Sequence, residues 1–204
     1  MDRVVIIDYG MGNLRSVQKA FEFLGADAVI CPDGSRIASA DLLVLPGVGE
    51  FGAAMRELDC RNLIEPLRAY AAAGRKLLGI CLGMQLVMEE SEESPGVRGL
   101  GVFKGTVKRF PRSREYPVPQ IGWNTVRYAE MNTQLFRDIP QESYFYFVHS
   151  YYVSPTDSRI SAGVTDYGMK YTSILAKDNI VAAQFHPEKS QKPGLRLLKN
   201  ILEM

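Results

Sequence analysis

Short apolar runs alternate with amphipathic stretches through the N-terminal half of the chain. Residues 3–8 form a β-branched run that ends at Gly10. Residues 14–24 follow, with Val17, Ala20, Phe21 and Leu24 at helical spacing. Gly25 stands where a helix C-terminal glycine is expected. Residues 28–31 and 42–45 are predicted strands, closed by Pro32-Asp33-Gly34 and Pro46-Gly47. A long helical stretch is predicted over 53–73, interrupted near Pro66. Residues 76–80 read as a fourth strand and 82–90 as a helix. Nearly all-apolar strands separated by helices imply a parallel sheet covered on both faces.

After Gly96 the texture changes. Residues 102–110, 121–128, 143–148, 160–164, 171–177 and 180–185 read as strands joined by turns, with Lys177-Asp178-Asn179 a tight-turn signal. Residues 195–202 close the chain as a helix. The expected fold is α/β: a mostly parallel central sheet flanked by helices, with an antiparallel, strand-rich addition in the C-terminal half. That addition is expected to extend the main sheet and to add a small second one. No repeat or linker divides the chain, so residues 1–204 are expected to form one domain.

Composition narrows the function classes. The 204 residues are 46% hydrophobic and 23% charged, and 24 basic against 23 acidic side chains leave a formal charge of +1. That balance argues against a general nucleic-acid grip or a polybasic membrane anchor. No apolar run approaches the ~20 residues that span a bilayer. The first residues already read as a strand, not as a secretion signal. The three cysteines, Cys31, Cys60 and Cys81, are too few and too odd in number for a disulfide framework, so a cytoplasmic location is expected. With two histidines and no Cys-x-x-Cys pair, no metal or other cofactor is expected.

The informative stretch is Gly79-Ile80-Cys81-Leu82-Gly83-Met84-Gln85. A strand runs directly into a helix, with a glycine two residues either side of a cysteine. This is a nucleophile elbow with cysteine in place of serine. It exposes Cys81 at the carboxyl end of the sheet, where open α/β folds bind ligands. The positive end of the following helix favours a thiolate. Cys31 and Cys60 lack the frame and read as structural. A nucleophilic cysteine needs a base, and the base needs an orienter. His186 lies just past an apolar strand in Gln184-Phe185-His186-Pro187-Glu188. Residues two apart project to one side of extended chain, so Glu188 can reach the imidazole and hold its tautomer. His149 ends another strand without a nearby carboxylate and is the weaker base. The chain order Cys, His, Glu differs from the nucleophile, acid, His order of α/β-hydrolases. For the oxyanion, the Leu82 amide is one donor, and Pro46-Gly47-Val48-Gly49 can bring another to the same sheet edge.

Together, Gly79-Ile-Cys81-Leu-Gly83-Met-Gln85, Pro46-Gly-Val-Gly49 and His186-Pro-Glu188 resemble the class I (triad) glutamine amidotransferases. Asp8-Tyr-Gly10-Met-Gly12-Asn13-Leu-Arg15-Ser16, Ile121-Gly-Trp123-Asn124 and His186-Pro-Glu-Lys189-Ser190 narrow the resemblance to the glutaminase subunits of imidazole glycerol phosphate synthases. It covers essentially the whole chain. It implies that Cys81 attacks the side-chain amide of glutamine, with His186 and Glu188 completing a triad. Val48, Gly49 and Leu82 would supply the oxyanion amides. Gly47, Gln85, Ser150 and Tyr151 would bind the substrate, and Glu93 would meet its ammonium. The acidic run Glu89-Glu-Ser-Glu-Glu93 otherwise reads as a solvated helix end. The implied partner is a (β/α)₈ cyclase subunit, in a heterodimer that channels ammonia, with Asn13, Trp123, Asn124, Tyr146 and Lys189 at the interface. Three alternatives stay open: a glutaminase of anthranilate, aminodeoxychorismate or carbamoyl phosphate synthesis; a non-catalytic interaction subunit on the same fold; and a cysteine peptidase or thiol hydrolase.

Overall fold

The computed structural model describes residues 2–128 and 134–204. Among these, twelve strands join in one sheet. Its backbone runs β2 (Asp27–Cys31), β1 (Arg3–Ile7), β3 (Leu42–Gly47), β4 (Lys76–Cys81) and β12 (Ile180–Ala183), all parallel. It continues antiparallel through β11 (Lys170–Lys177), β10 (Ser161–Asp166), β7 (Gln120–Tyr128) and β8 (Ser143–His149). The remaining three strands branch off β11. There, β9 (Tyr151–Pro155) meets it at Val153, β6 (Gly105–Arg109) pairs with β9, and the two-residue β5 (Glu90–Ser91) pairs with β6. The α/β class with an antiparallel addition holds. The expected separate second sheet is instead this branch.

Alternation along the parallel strands explains the layering. Val5 and Ile7 face α2 (Phe51–Cys60) and α3 (Ile64–Ala72), in a core with Met55, Leu58 and Leu67. Val4 and Ile6 face α1 (Leu14–Phe23) and α5 (Gln191–Glu203), in a core with Phe21, Leu197 and Ile201. Helices thus cover both faces, as the apolar strands require.

Three boundaries differ from the pattern in the sequence. The helical stretch over 53–73 is two helices, and it breaks before Pro66. Asn62 turns the chain at φ +54°, and Pro66 falls in the first turn of α3, where an N–H has no intrahelical acceptor. The helix predicted over 82–90 is only α4 (Leu82–Leu86). The carbonyls at its end and just beyond are taken by an incoming loop: Leu100 N–H donates to Leu86 O (2.8 Å), Phe103 to Val87 O (3.0 Å), Gly101 to Met88 O (3.0 Å) and Gly99 to Glu89 O (2.9 Å). The acidic run is therefore not a helix end. β9 carries no clear signal in the sequence, because its pairing to β6 is long-range.

Candidate active site

β3, β4 and β12 are parallel neighbours, so their carboxyl ends bring Gly47, Cys81 and the 184–188 segment to one edge. Cys81 is the last residue of β4, and α4 begins at the next residue. Its backbone sits at φ +54°, ψ −107°, a conformation that costs a side-chain-bearing residue on the order of 1–3 kcal/mol. The flanking glycines are a steric necessity. A Cβ on Gly83 would stand 1.8 Å from the Leu45 carbonyl oxygen, and one on Gly79 would stand 2.9 Å from the Gly83 carbonyl oxygen. α4 lies on the sheet only because both are absent. The elbow expected from the sequence is present.

His186 arrives beside Cys81 on the segment that leaves β12. The turn Pro187–Lys189 brings Glu188 back, and His186 Nδ1 lies 2.8 Å from Glu188 Oε1. The two side chains are only 3% and 1% exposed. His186 Nε2 has no hydrogen-bond partner among the described residues. Burial of the ring opposes its charge, but the nearby Cys81 sulfur and the Glu188 hydrogen bond outweigh it and lift the pKa to about 10. Ser190 Oγ donates to His186 O (2.6 Å) and accepts from Tyr146 N–H (3.0 Å), which fixes the turn against β8.

A cavity of about 300 Å³ opens at this edge. Val48, Gly49, Cys81, Leu82, Gln85, Glu93, Ser150 and Tyr151 all line it. Gly47 lies behind that lining, where a Cβ would stand 2.2 Å from the Tyr9 hydroxyl oxygen. That hydroxyl donates to Pro46 O (2.8 Å) and pins the start of the loop. Gln85 Nε2 donates to Tyr151 O and to Gln184 Oε1, both at 3.1 Å. Glu93 accepts from the Phe51 N–H (2.8 Å) at the start of α2. Burial raises its pKa against that bond, and the charge of Glu50 adds to the rise.

Gln184 had no role in the sequence reading. It is fully buried and joins Gln85 to Cys81, donating to Sγ at 3.8 Å. The signal was available: it precedes His186 by two residues, just past the end of β12. His149, the weaker base by sequence, is spent internally. Its ring nitrogens lie 2.8 Å from Tyr151 O and 3.2 Å from the Tyr171 hydroxyl, and burial, the dominant cause, drives its pKa down to about 4.

The expected partner-facing residues divide. Trp123 lies opposite Tyr146 on the β7–β8 hairpin, with ring centroids 5.9 Å apart. Trp123 is exposed, as are Ile121 and Tyr144 on the same face. Lys189 is exposed in the turn after His186, and Asn13 is exposed at the start of α1, which packs near that turn. Asn124 falls on the other face of β7, donating to Asp166 O (2.8 Å) and accepting from Thr125 N–H (2.7 Å).

Comparison with known proteins bears on the family and the fold. The family model "Glutamine amidotransferase class-I" matches residues 5–204. The chain is 48% identical over 201 residues to the imidazole glycerol phosphate synthase subunit HisH of Chlorobaculum tepidum, covering 98% of this chain and 99% of that one. It is 48% identical over 199 residues to the subunit of that name from Aquifex aeolicus, covering 97% and 95%. Among solved structures, PurLQS from Thermotoga maritima superposes with a TM-score of 0.76 at 17% identity, covering 100% of this chain and 99% of that one. The glutaminase domain of Trypanosoma brucei CTPS superposes at 0.65 with 16% identity, covering 100% and 94%. At those identities the structures speak for the fold alone. The full-length match to the family model and the near-half identity to HisH subunits make this chain a class I glutamine amidotransferase of the HisH family.

Proposed function

We propose that the chain is the glutaminase of an imidazole glycerol phosphate synthase: it hydrolyses glutamine to glutamate and ammonia through Cys81, His186 and Glu188. The observation that carries this is the strained Cys81 facing a buried His186–Glu188 pair at the wall of a cavity large enough for an amino acid. Sγ attacks the amide carbon of glutamine, and the carbonyl electron pair moves to oxygen. The Leu82 N–H, at the start of α4 and without an intrahelical acceptor, and the 48–49 backbone receive that oxyanion. The tetrahedral adduct collapses as His186 gives its proton to the departing nitrogen, releasing ammonia and leaving a glutamyl thioester. Water then attacks the thioester, its proton passing to His186, and glutamate leaves as the thiolate returns. Glu188 holds the ring and balances the imidazolium. Gln85, Ser150 and Tyr151 hold the amino-acid end, Glu93 receives its ammonium, and Gly47 keeps the loop close behind.

The released ammonia passes to a (β/α)₈ cyclase subunit, which makes imidazole glycerol phosphate and AICAR from PRFAR in histidine biosynthesis. The exposed face of Trp123 and Tyr146, with Asn13 and Lys189 nearby, supports docking there, and Tyr146 touches the His186 backbone. Asn124 would act only by supporting that hairpin. The chain functions as one cytoplasmic domain, without nucleic acid or membrane. Among the described residues no helix is long and apolar enough to cross a membrane.

Glutamate release from glutamine tests the proposal. The chain is assayed alone, with a histidine-pathway cyclase, and with cyclase plus its nucleotide substrate, and Cys81→Ala is the control. The expected result is strong activation by partner and ligand that the control abolishes. Activity indifferent to the cyclase would move the chain to another synthase. A folded, partnered chain without any activity would make it a non-catalytic subunit.

A further inference from the structure

We propose that His149 is a positioning residue, locked as the Nδ1-protonated tautomer between the Tyr151 carbonyl and the Tyr171 hydroxyl, and that it fixes the cavity wall at 149–151. The kinetic part of this inference rests on the glutaminase reading; the tautomer does not.

The tautomer follows from donor and acceptor counting. His149 Nδ1 lies 2.8 Å from Tyr151 O, and a carbonyl only accepts, so Nδ1 carries the proton. In a neutral ring Nε2 is then an acceptor. The Tyr171 hydroxyl stands 3.2 Å from it and must direct its proton there. The same hydroxyl lies 2.9 Å from Gln120 Oε1, as a donor to it, and one proton cannot serve two acceptors. Gln120 must therefore turn its NH₂ toward the tyrosine oxygen. The result is a one-way chain of donors: Gln120 to Tyr171, Tyr171 to His149, His149 to Tyr151. Gln120, His149 and Tyr171 are 2%, 6% and 3% exposed. Phe110, Phe147 and Tyr171 pack around the imidazole, with ring centroids 5.3, 5.7 and 5.4 Å away. Burial first, with the nearby charge of His186 adding to it, outweighs the Tyr151 bond and keeps the ring uncharged down to about pH 4.

This chain ends on a wall of the cavity. Tyr151 O also accepts from Gln85 Nε2, so two buried donors converge on one carbonyl. Ser150 and Tyr151, which lead into that carbonyl, line the cavity. Both nitrogens of His149 are occupied, which leaves no atom free to carry a substrate proton. Its contribution is to binding geometry.

With two histidines in the chain, ¹⁵N-histidine labelling gives a readable spectrum. His149 is expected as a neutral Nδ1–H ring from pH 5.5 to 9, identified by its loss in His149→Asn. An Nε2–H ring, or a titration near 6.5, would overturn the inference. Kinetics in the cyclase complex give the second reading. Tyr171→Phe removes the donor to Nε2 and is expected to raise the glutamine KM about fivefold, the worth of one buried hydrogen bond, with kcat within twofold. His149→Asn keeps an N–H near Nδ1 and is expected to hold a lower KM than His149→Leu. Collapse of kcat with an unchanged KM would make His149 a proton carrier, and unchanged KM throughout would remove its positioning role. If the unaltered complex releases no glutamate, the glutaminase reading fails while the spectrum still decides the tautomer.

Discussion

His186 and His149 follow the same local plan to opposite ends. Each sits just beyond or at the end of a strand, each is buried, and each places Nδ1 2.8 Å from an oxygen two residues further on. For His186 that oxygen belongs to the Glu188 carboxylate; for His149 it is the Tyr151 carbonyl. The second nitrogen faces Cys81 in one case and a tyrosine hydroxyl in the other. Burial opposes charge at both. The pKa nevertheless rises to about 10 at His186 and falls to about 4 at His149. At His186 the interactions with Cys81 and then with Glu188 overcome burial, while the neutral carbonyl and hydroxyl at His149 do not, and that decides whether a buried imidazole moves protons or only holds backbone.

Glu188→Gln breaks the comparison most directly, because it gives His186 a neutral oxygen like that of His149. We expect kcat for glutamate release in the cyclase complex to fall about 10²–10⁴-fold, with KM nearly unchanged. The His186 titration should move down toward the ordinary histidine range. A loss under fivefold would show that the charge of Glu188 is dispensable.

Gly83→Ala disturbs the neighbourhood of Cys81 and His186 directly and reaches His149 only through Gln85, which shares the Tyr151 carbonyl with it. The new methyl group meets the Leu45 carbonyl, so α4 must move and carry the sulfur with it. Overpacking of this kind costs about 1–3 kcal/mol. A lower urea midpoint together with lost glutamate release is expected, with His149 remaining a neutral Nδ1–H ring.

The smallest effect sharpens the comparison through stability. His149 has a lowered pKa, so its contribution is complete above the ordinary value near 6.5 and is lost as pH falls toward about 4. His186 has a raised pKa, so its contribution is complete below about 6.5 and is lost as pH rises toward about 10. Each proton gives a slope of at most about 1.4 kcal/mol per pH unit. Urea midpoints against pH should form a dome. His149→Asn should flatten its acid side and His186→Gln its alkaline side. A profile identical in all three proteins would contradict both assignments.

What could be read in the sequence was what local sterics and spacing control. Gly79 and Gly83 announce the elbow because they must clear backbone within a few residues or across one strand. The His-x-Glu spacing announces the pair, although a tight turn at Pro187–Lys189, and not extended chain, brings Glu188 back to the ring. What escaped depends on distant chain. α4 stops at Leu86 because residues 99–103 claim its carbonyls. The network at His149 needs Gln120 and Tyr171 from two other strands, and no pattern around His149 encodes them. Asn124, read together with Trp123 as one motif, lies on the opposite face because strand neighbours alternate.

The place of β12 has a consequence for how the protein is made. The strand that carries His186 to the site is synthesised long after β4, yet it lies in the middle of the sheet, against β4. Until the ribosome has released it, β4 has an open edge, and its run Leu77-Leu78-Gly79-Ile80 has no polar side chain. The same docking event closes that edge and brings the imidazole to the thiol. A nascent or truncated chain is thus both prone to associate with other chains and chemically silent, and it loses both properties in one step.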